Sequence, residues 1–313
     1  MSQNKVYNII LYDESGSKKL AATSAVDEDI PCQIRKYKSK EISGKYPTFE
    51  LELFNSSFED FYDKFDFMIE VINDLYKYKV SICALVKEIN PNKSILILKG
   101  MFAKADMCSQ SKTRYLGGTT KEAIQTLGFE QELHLRQNIS AEHHQIKTTS
   151  VKKLEQICDC ESDFPYWTIG ITDIYLTKDT KEKEFIILDK VERITENILP
   201  DLKLINENYD EDFYGGVLNT ASTMGNINNY LAIPNAVRNS YLRSTYQPFM
   251  VMTGTFNNFF PYTLGTKVKN IFKEYKNIDY WVITSLITIY DNNVASSVVE
   301  YSSWKEVVEE GNQ

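Results

Sequence analysis

The chain has 313 residues, of which 42% are hydrophobic and 12% aromatic, so it has enough apolar material to bury a sizeable core. Its 35 Lys and Arg residues against 43 Asp and Glu residues give a formal net charge of -8. This balance argues against a protein that binds nucleic acid by neutralising phosphates, which requires a concentrated positive face.

The apolar runs of the sequence predict neither a membrane-spanning helix nor a signal peptide. No run approaches the roughly 18–20 apolar residues of a spanning helix, and residues 1–6 lack an apolar core. We therefore expect a cytoplasmic protein. The five cysteines agree with a reducing compartment, because they are scattered and include no Cys-x-x-Cys pair: Cys32, Cys83, Cys108, Cys158 and Cys160.

The first third of the chain has the periodicity of strands. Residues 6–12 form a short apolar run that ends in turn-forming residues 13–16. In residues 49–53, Phe and Leu alternate with Glu, which places the apolar side chains on one face and the carboxylates in water. The apolar runs 82–89 and 95–102, joined by an Asn-Pro-Asn-Lys turn, predict a hairpin, and together these segments predict a β-meander or barrel.

Helical spacing is found in three shorter segments. Residues 57–66 carry an aromatic stripe after a possible cap, and residues 119–128 begin with a capping box and end in Gly. A further helix is expected to begin near residue 149 or 150 and to run to about 158. These segments indicate a mixed region in the middle of the chain.

Strand signals return in the second half. Residues 166–175 and 185–188 predict a second hairpin, whereas residues 197–239 predict loops and short helices. The C-terminal part is again rich in β-branched and aromatic residues, and its expected strands are 249–256, 267–272, 280–290 and 294–301. An Asp-Asn-Asn turn at residues 291–293 separates the last two.

Metal ligands are present, but their spacing is poor. His143 and His144 are adjacent, so on a regular element they point in different directions, and Cys158 and Cys160 are closer together than the cysteines of structural zinc sites. We expect no metal and no cofactor. A metallohydrolase built around these residues stays open as an alternative that a metal measurement would decide.

Catalytic motifs are also missing from the sequence. There is no Gly-x-Ser-x-Gly elbow, and the Gly pairs 117–118 and 215–216 match no phosphate-binding loop. The acidic residues 210–212 lack the ligand spacing of a calcium loop. A glycosidase needs only two carboxylates, and because the chain has 43 acidic residues this requirement singles out no particular pair. We therefore expect that the chain has no catalytic residues and is not an enzyme.

The order of several short segments resembles the central baseplate hub protein of contractile-tailed bacteriophages. The likeness spans most of the chain and is strongest in its C-terminal part. It rests on the collinearity of residues 7–13, 20–23, 44–54, 68–73, 118–128, 252–257, 264–268 and 280–290.

The resemblance implies a mainly β fold with an α+β insertion. Two tube-like antiparallel β-barrels are expected, with a mixed domain between them. The boundaries that it implies are 1–115 for the first barrel, 116–163 with 191–245 for the inserted domain, and 164–190 with 246–313 for the second barrel.

The same resemblance implies a homotrimeric ring of six barrels. Such a ring joins the sixfold tail tube above to the threefold central spike below, contacts baseplate wedge proteins, and leaves an axial channel for DNA without specific nucleic-acid binding. The implied location is the virion baseplate, assembled in the host cytoplasm. A receptor- or carbohydrate-binding β protein of a tail tip is the alternative, for which Trp167, Trp281 or Trp304 would line an open groove.

Overall fold

The chain is described by a computed structural model, in which strands account for nearly all the regular structure. The described residues are 8–13, 16, 18–23, 32–54, 66–73, 75–90, 94–104, 108, 114–116, 134–135, 146–148, 168–175, 181–196, 250–275, 278 and 280–303.

The N-terminal strands close on themselves into a seven-stranded barrel. They follow the ring order β3-β2-β1-β5-β6-β7-β4, and β4 pairs back to β3. All pairings are antiparallel except the short parallel contact of β2 with β3. The strands are β1 (Asn8–Tyr12), β2 (Lys18–Thr23), β3 (Cys32–Ile42), β4 (Thr48–Phe54), β5 (Asp66–Ile72), β6 (Lys77–Asn90) and β7 (Ile95–Met101).

The barrel interior is filled by the alternating apolar residues of its strands. In β4 the side chains of Phe49, Leu51 and Leu53 are buried, as their spacing predicts. The β6–β7 pairing confirms the predicted first hairpin. In β3 a bulge between Ile34 and Lys36 shifts the alternation by one residue, so Tyr37 and Ser39 point inward after it.

The C-terminal strands form a second sheet with a core of its own. Its order is β13-β14-β17-β16, and β15 pairs with the start of β16. Buried apolar residues of this sheet pack together around Trp281 and Tyr301. The strands are β13 (Lys190–Glu196), β14 (Met250–Phe256), β15 (Lys267–Lys269), β16 (Tyr280–Asp291) and β17 (Val294–Ser303).

The barrel and the second sheet are continuous through one strand. Residues 36–42 of β3 pair with residues 285–291 of β16, while the other edge of β3 pairs with β4. We call this β3–β16 pairing the seam. The predicted tight turn after β16 is confirmed, because Asn292 and Asn293 have φ values of 45° and 68°, the left-handed conformation that such hairpin turns require.

Two small sheets complete the described structure. One pairs β8 (Arg114–Leu116) with β10 (Ile146–Thr148), and the other places β12 (Asp173–Tyr175) between β9 (His134–Leu135) and β11 (Thr168–Ile169).

The prediction that residues 166–175 and 185–188 pair as a hairpin was wrong. The strands β11 and β12 pair with each other, and residues 185–188 lie in no strand. Phe185 instead stacks on Tyr301 at 4.7 Å between ring centroids, so this segment packs on the second core. The second sheet also includes β13, beyond the expected boundary at residue 190.

The predicted helices fall on residues that the structure does not describe. This holds for 57–65, 119–128 and 149–158, while Asp66 begins strand β5. The expected loops of 197–239 lie outside the described residues as well.

Candidate assembly surfaces

The seam holds the barrel to the second sheet through backbone hydrogen bonds and a short loop. Ser43 extends the contact, since its N–H donates to the Thr284 carbonyl at 2.8 Å. Thr284 lies at the bulge of β16, where its hydroxyl donates to Glu300 and pairs with Ser302, each at 2.7 Å. Backbone hydrogen bonds therefore hold β3 to β16, and the Thr284 side chain holds β16 to its other neighbour, β17.

Glu41, in the part of β3 that forms the seam, fastens the β11–β12 turn to the barrel. Its Oε2 accepts the backbone N–H of Ile171 at 3.0 Å, and a Cβ on Gly170 would lie 3.0 Å from that oxygen. Burial raises the pKa of Glu41 to about 7, against the opposing hydrogen bond from Ile171, and the nearby Asp173 carboxylate adds to the rise. Glu41 therefore titrates near neutral pH.

The outer face of the barrel beside the seam carries paired charges. Lys36 and Lys99 reach the Glu50 carboxylate at 3.3 and 3.5 Å, and Arg35 reaches Glu52 at 3.0 Å. Partial burial disfavours the charged form of Glu50, but the two lysines outweigh it and lower its pKa. The expected placement of Glu50 and Glu52 on the face opposite the core is confirmed, although both are ion-paired rather than free in water.

One side chain organises the loop that covers the second core. The Asn270 amide donates to the carbonyls of Tyr275 and Ile278, each at 2.9 Å, and its Oδ1 accepts the indole N–H of Trp281 at 3.1 Å. Trp281 is fully buried. It therefore offers no stacking surface to a sugar, which removes one of the three candidate residues of the carbohydrate-binding alternative.

The second sheet ends in an open edge at β13. Its residues pair with β14 on one side, and among the described residues nothing pairs with the other side. Val191 and Ile194 are opposite Gly254 and Met252, so they lie on the core-facing side of the sheet, yet they are 45% and 50% exposed. An edge strand with exposed apolar side chains is a site where another strand or surface can be added.

The other candidate site residues named from the sequence are not among the described residues. His143, His144, Cys158, Cys160, Trp167 and Trp304 lie outside the described residues. Within the described ranges, no three His, Cys, Asp or Glu side chains are grouped so that they could hold a metal. No helix among those ranges is long and apolar enough to cross a membrane.

Neither Glu41 nor the β13 edge was predicted from the sequence. Glu41 has no motif around it, because its partner is a backbone N–H 130 positions away. The β13 sequence, Lys-Val-Glu-Arg-Ile-Thr-Glu, contains only two apolar residues, separated by two charged ones. Its β-branched Val, Ile and Thr residues were the signal available.

Solved structures of tail proteins share this fold over nearly the whole chain. The 43 kDa tail protein of prophage MuSo2 from Shewanella oneidensis is 12% identical with a TM-score of 0.56, over 96% of this chain and 99% of that one. The tail protein from Neisseria meningitidis MC58 is 11% identical with a TM-score of 0.56, over 95% and 96% of the two chains.

A third similar structure comes from a secretion system. The E. coli c3393 protein, a component of the type VI secretion system described as structurally similar to the T4 bacteriophage tail proteins gp27 and gp5, is 9% identical. It has a TM-score of 0.54 over 88% of this chain and 75% of that one. No protein-family model and no curated protein matches the sequence. At these identities the likeness shows the fold, and that fold is the one found in phage tail proteins.

Proposed function

We propose that this chain is the structural hub of a phage tail baseplate. Three copies form a ring that joins the sixfold tail tube to the threefold central spike. The proposal rests on the fold likeness to two bacterial and prophage tail proteins over at least 95% of both chains. The likeness to a secretion-system protein described as structurally similar to gp27 and gp5 favours a hub over other tail components.

The arrangement of the strands supports a ring of this kind. The closed barrel lies within residues 1–115, the proposed first unit. The second sheet lies within residues 164–190 and 246–313, the proposed second unit, except for its strand β13. Each has its own hydrophobic core. Residues 116–163 and 191–245 would form the inserted domain apart from β13. Three chains would then supply six strand-built units, which matches sixfold symmetry on one side and threefold on the other.

The proposed role is mechanical rather than catalytic. The ring would contact tail tube protein above, spike protein below and baseplate wedge proteins at its side, in a virion assembled in the host cytoplasm. A chain with a net charge of -8 around an axial channel gains nothing from counterion release, so DNA would pass without being held.

The oligomeric state tests the proposal. Native mass spectrometry of the full chain at tens of micromolar is expected to show a trimer, alone or with tail tube and spike proteins. A chain that remains monomeric both alone and with those partners would overturn it.

A further inference from the structure

We propose that Cys83 and Cys108 form a redox-sensitive pair that closes to a disulfide once the chain leaves a reducing compartment. The bond would tie the chain at residue 108 to the wall of the N-terminal barrel. The timing, after release from the host cell, rests on the proposed virion location, whereas the pair itself rests only on the contacts between these side chains.

Cys83 lies on the outer face of the barrel and is nevertheless buried. Its neighbours on β6, Ile82 and Ala84, belong to the barrel core, so the side chain of Cys83 points to the opposite side of the strand. Only 3% of this residue is exposed. The thiol is therefore covered although it lies outside the barrel core.

Two further sulfur atoms lie at the same place. Met101 is directly opposite Cys83 in the β6–β7 pairing, so the two side chains share the outer face and are close neighbours. The Sγ of Cys108 lies 3.9 Å from the Sδ of Met101. The backbone N–H of Cys108 donates to the Lys104 carbonyl at 3.3 Å, which ties this residue to the chain just after β7.

The two thiols are also in direct contact with each other. A hydrogen bond from the Cys108 thiol lowers the pKa of Cys83, and it outweighs the opposing effects of burial and of the Asp66 carboxylate, which belongs to the residue opposite Cys83 on β5. Neither sulfur is part of a disulfide in the structure. Thiols in hydrogen-bond contact are already near the separation at which a disulfide forms.

The two cysteines differ in their access to solvent, and this difference sets the order of reaction. Cys108 is partly exposed, whereas Cys83 is buried. An oxidant in solution therefore meets Cys108 first, and Cys83 acts as the resolving thiol.

The oxidant is a low-molecular-weight disulfide, for which oxidised glutathione is the probe. The Cys108 thiolate attacks one glutathione sulfur and releases the other glutathione as a thiolate, which leaves a mixed disulfide. The Cys83 thiolate then attacks the Cys108 sulfur and releases the second glutathione. The protein loses two thiol protons and two electrons, and one oxidised glutathione becomes two reduced ones.

The bond would act as a lock at the end of the barrel. It closes a loop that contains all of β7, and it anchors the chain just before residue 116, where the proposed inserted domain begins. Because a disulfide that closes a loop restricts the unfolded chain, oxidation should raise the melting temperature by about 5 °C. The proposed hub is assembled in a reducing cytoplasm and acts outside the cell, so the lock would form after assembly is complete.

Peptide mapping after mild oxidation identifies the pair. The full chain is incubated with oxidised glutathione, the remaining thiols are alkylated, and the chain is digested with trypsin without reduction. Cleavage after Lys and Arg places Cys83 in peptide 80–87 and Cys108 in peptide 105–112, and the remaining cysteines fall in other peptides. We expect these two peptides to be linked and to separate on treatment with dithiothreitol. Absence of the linked peptides, or linkage of either one mainly to a different cysteine, would overturn the inference.

Serine variants test the stabilising effect. The wild type is expected to melt about 5 °C higher after oxidation than after reduction. Cys108→Ser, or Cys108→Ala if the first variant does not fold, should show no such shift. The matched control is Cys32→Ser, because Cys32 is a buried thiol of the barrel core and lies on the other side of the wall; this variant should keep both the linked peptides and the shift. A shift in the Cys108 variant equal to that of the wild type would contradict the lock.

Native mass spectrometry of the same samples separates this inference from the proposed ring. A trimer that never yields the linked peptides would overturn the pair and leave the ring intact, whereas a monomer with linked peptides would support the pair and count against the ring. In acid-quenched, alkylated samples, the linked fraction is expected to be at least tenfold higher in released particles than in infected cells. Equal fractions in the two samples would overturn the claim that the bond forms on release.

Discussion

The Glu41 carboxylate accepts the backbone N–H of Ile171 at 3.0 Å, so a strand shared by the barrel and the second sheet also holds the β11–β12 turn. Ile171 packs against the barrel core at the same place. One acidic side chain thus links three parts of the fold.

This carboxylate makes stability depend on pH near neutrality. The folded pKa of Glu41 is about 7 and lies above the ordinary value of 4.5, so the folded chain holds the proton more tightly. Its contribution is therefore full below pH 4.5 and is lost as the pH rises to about 7. The free energy of unfolding of the wild type should fall, relative to Glu41→Gln, by on the order of 1–3 kcal/mol between pH 5 and pH 8. Urea unfolding measures this, with the exposed Glu274→Gln as control; parallel profiles for wild type and Glu41→Gln would contradict it.

A second carboxylate has the opposite pH dependence. The Tyr12 hydroxyl donates to Glu70 at 2.5 Å, and Lys77 lies 3.0 Å from the same carboxylate. Both contacts lower the pKa of Glu70, and the hydrogen bond from Tyr12 has the largest effect. Its stabilising contribution is present above pH 4.5 and is lost as the pH falls. Tyr12→Phe should cost about 1 kcal/mol at pH 7 and less at pH 3.

The matched control is Tyr290→Phe. The Tyr290 hydroxyl donates to the neutral amide oxygen of Asn293 at 2.8 Å, so its loss should cost the same at both pH values. Chemical denaturation at the two pH values compares the variants. A loss for Tyr12→Phe that does not change with pH would show that Glu70 is not held ionised by this bond.

Gly100 should be intolerant of any side chain. A Cβ at this position would lie 1.8 Å from the Cys83 carbonyl oxygen, because β6 and β7 approach closely beside the β6 bulge. Gly100→Ala should destabilise the barrel by about 2–3 kcal/mol or more. Gly44→Ala is the comparison: its φ is +77° with no atom within 4 Å, so only backbone strain of about 1 kcal/mol is expected. Equal melting temperatures for the two variants would contradict the predicted clash.

Asn270 should be needed for the second core. Asn270→Ala leaves the buried indole N–H of Trp281 and two carbonyls without their amide partner, and should cost about 2–4 kcal/mol. Combining it with Trp281→Phe measures the coupling, since the indole N–H is then already absent. Full additivity of the two substitutions would show that the Asn270–Trp281 bond contributes nothing.

Strands with unbroken alternation could be predicted from the sequence. Phe49, Leu51 and Leu53 have a period of two and are buried, and the Asn292–Asn293 turn has the chemistry of a tight hairpin. Both are local signals, so a single sequence is enough to detect them.

Strand β3 shows why the rest could not be predicted. It has four Lys or Arg residues, and the bulge at Arg35 shifts its inward positions, so no period of two extends along it. Its stability comes from pairing with distant strands on both edges, which no local pattern reports. Glu41 and the β13 edge were missed for the same reason, because their environment exists only in the folded chain.

Cryo-electron microscopy of a tail particle that contains this chain tests the proposed hub most directly. We expect three copies in one ring on the tail axis, between the tail tube and the spike, with barrels and second sheets alternating around it. A map that shows single copies away from the axis, or a ring in which barrels contact only barrels, would contradict it.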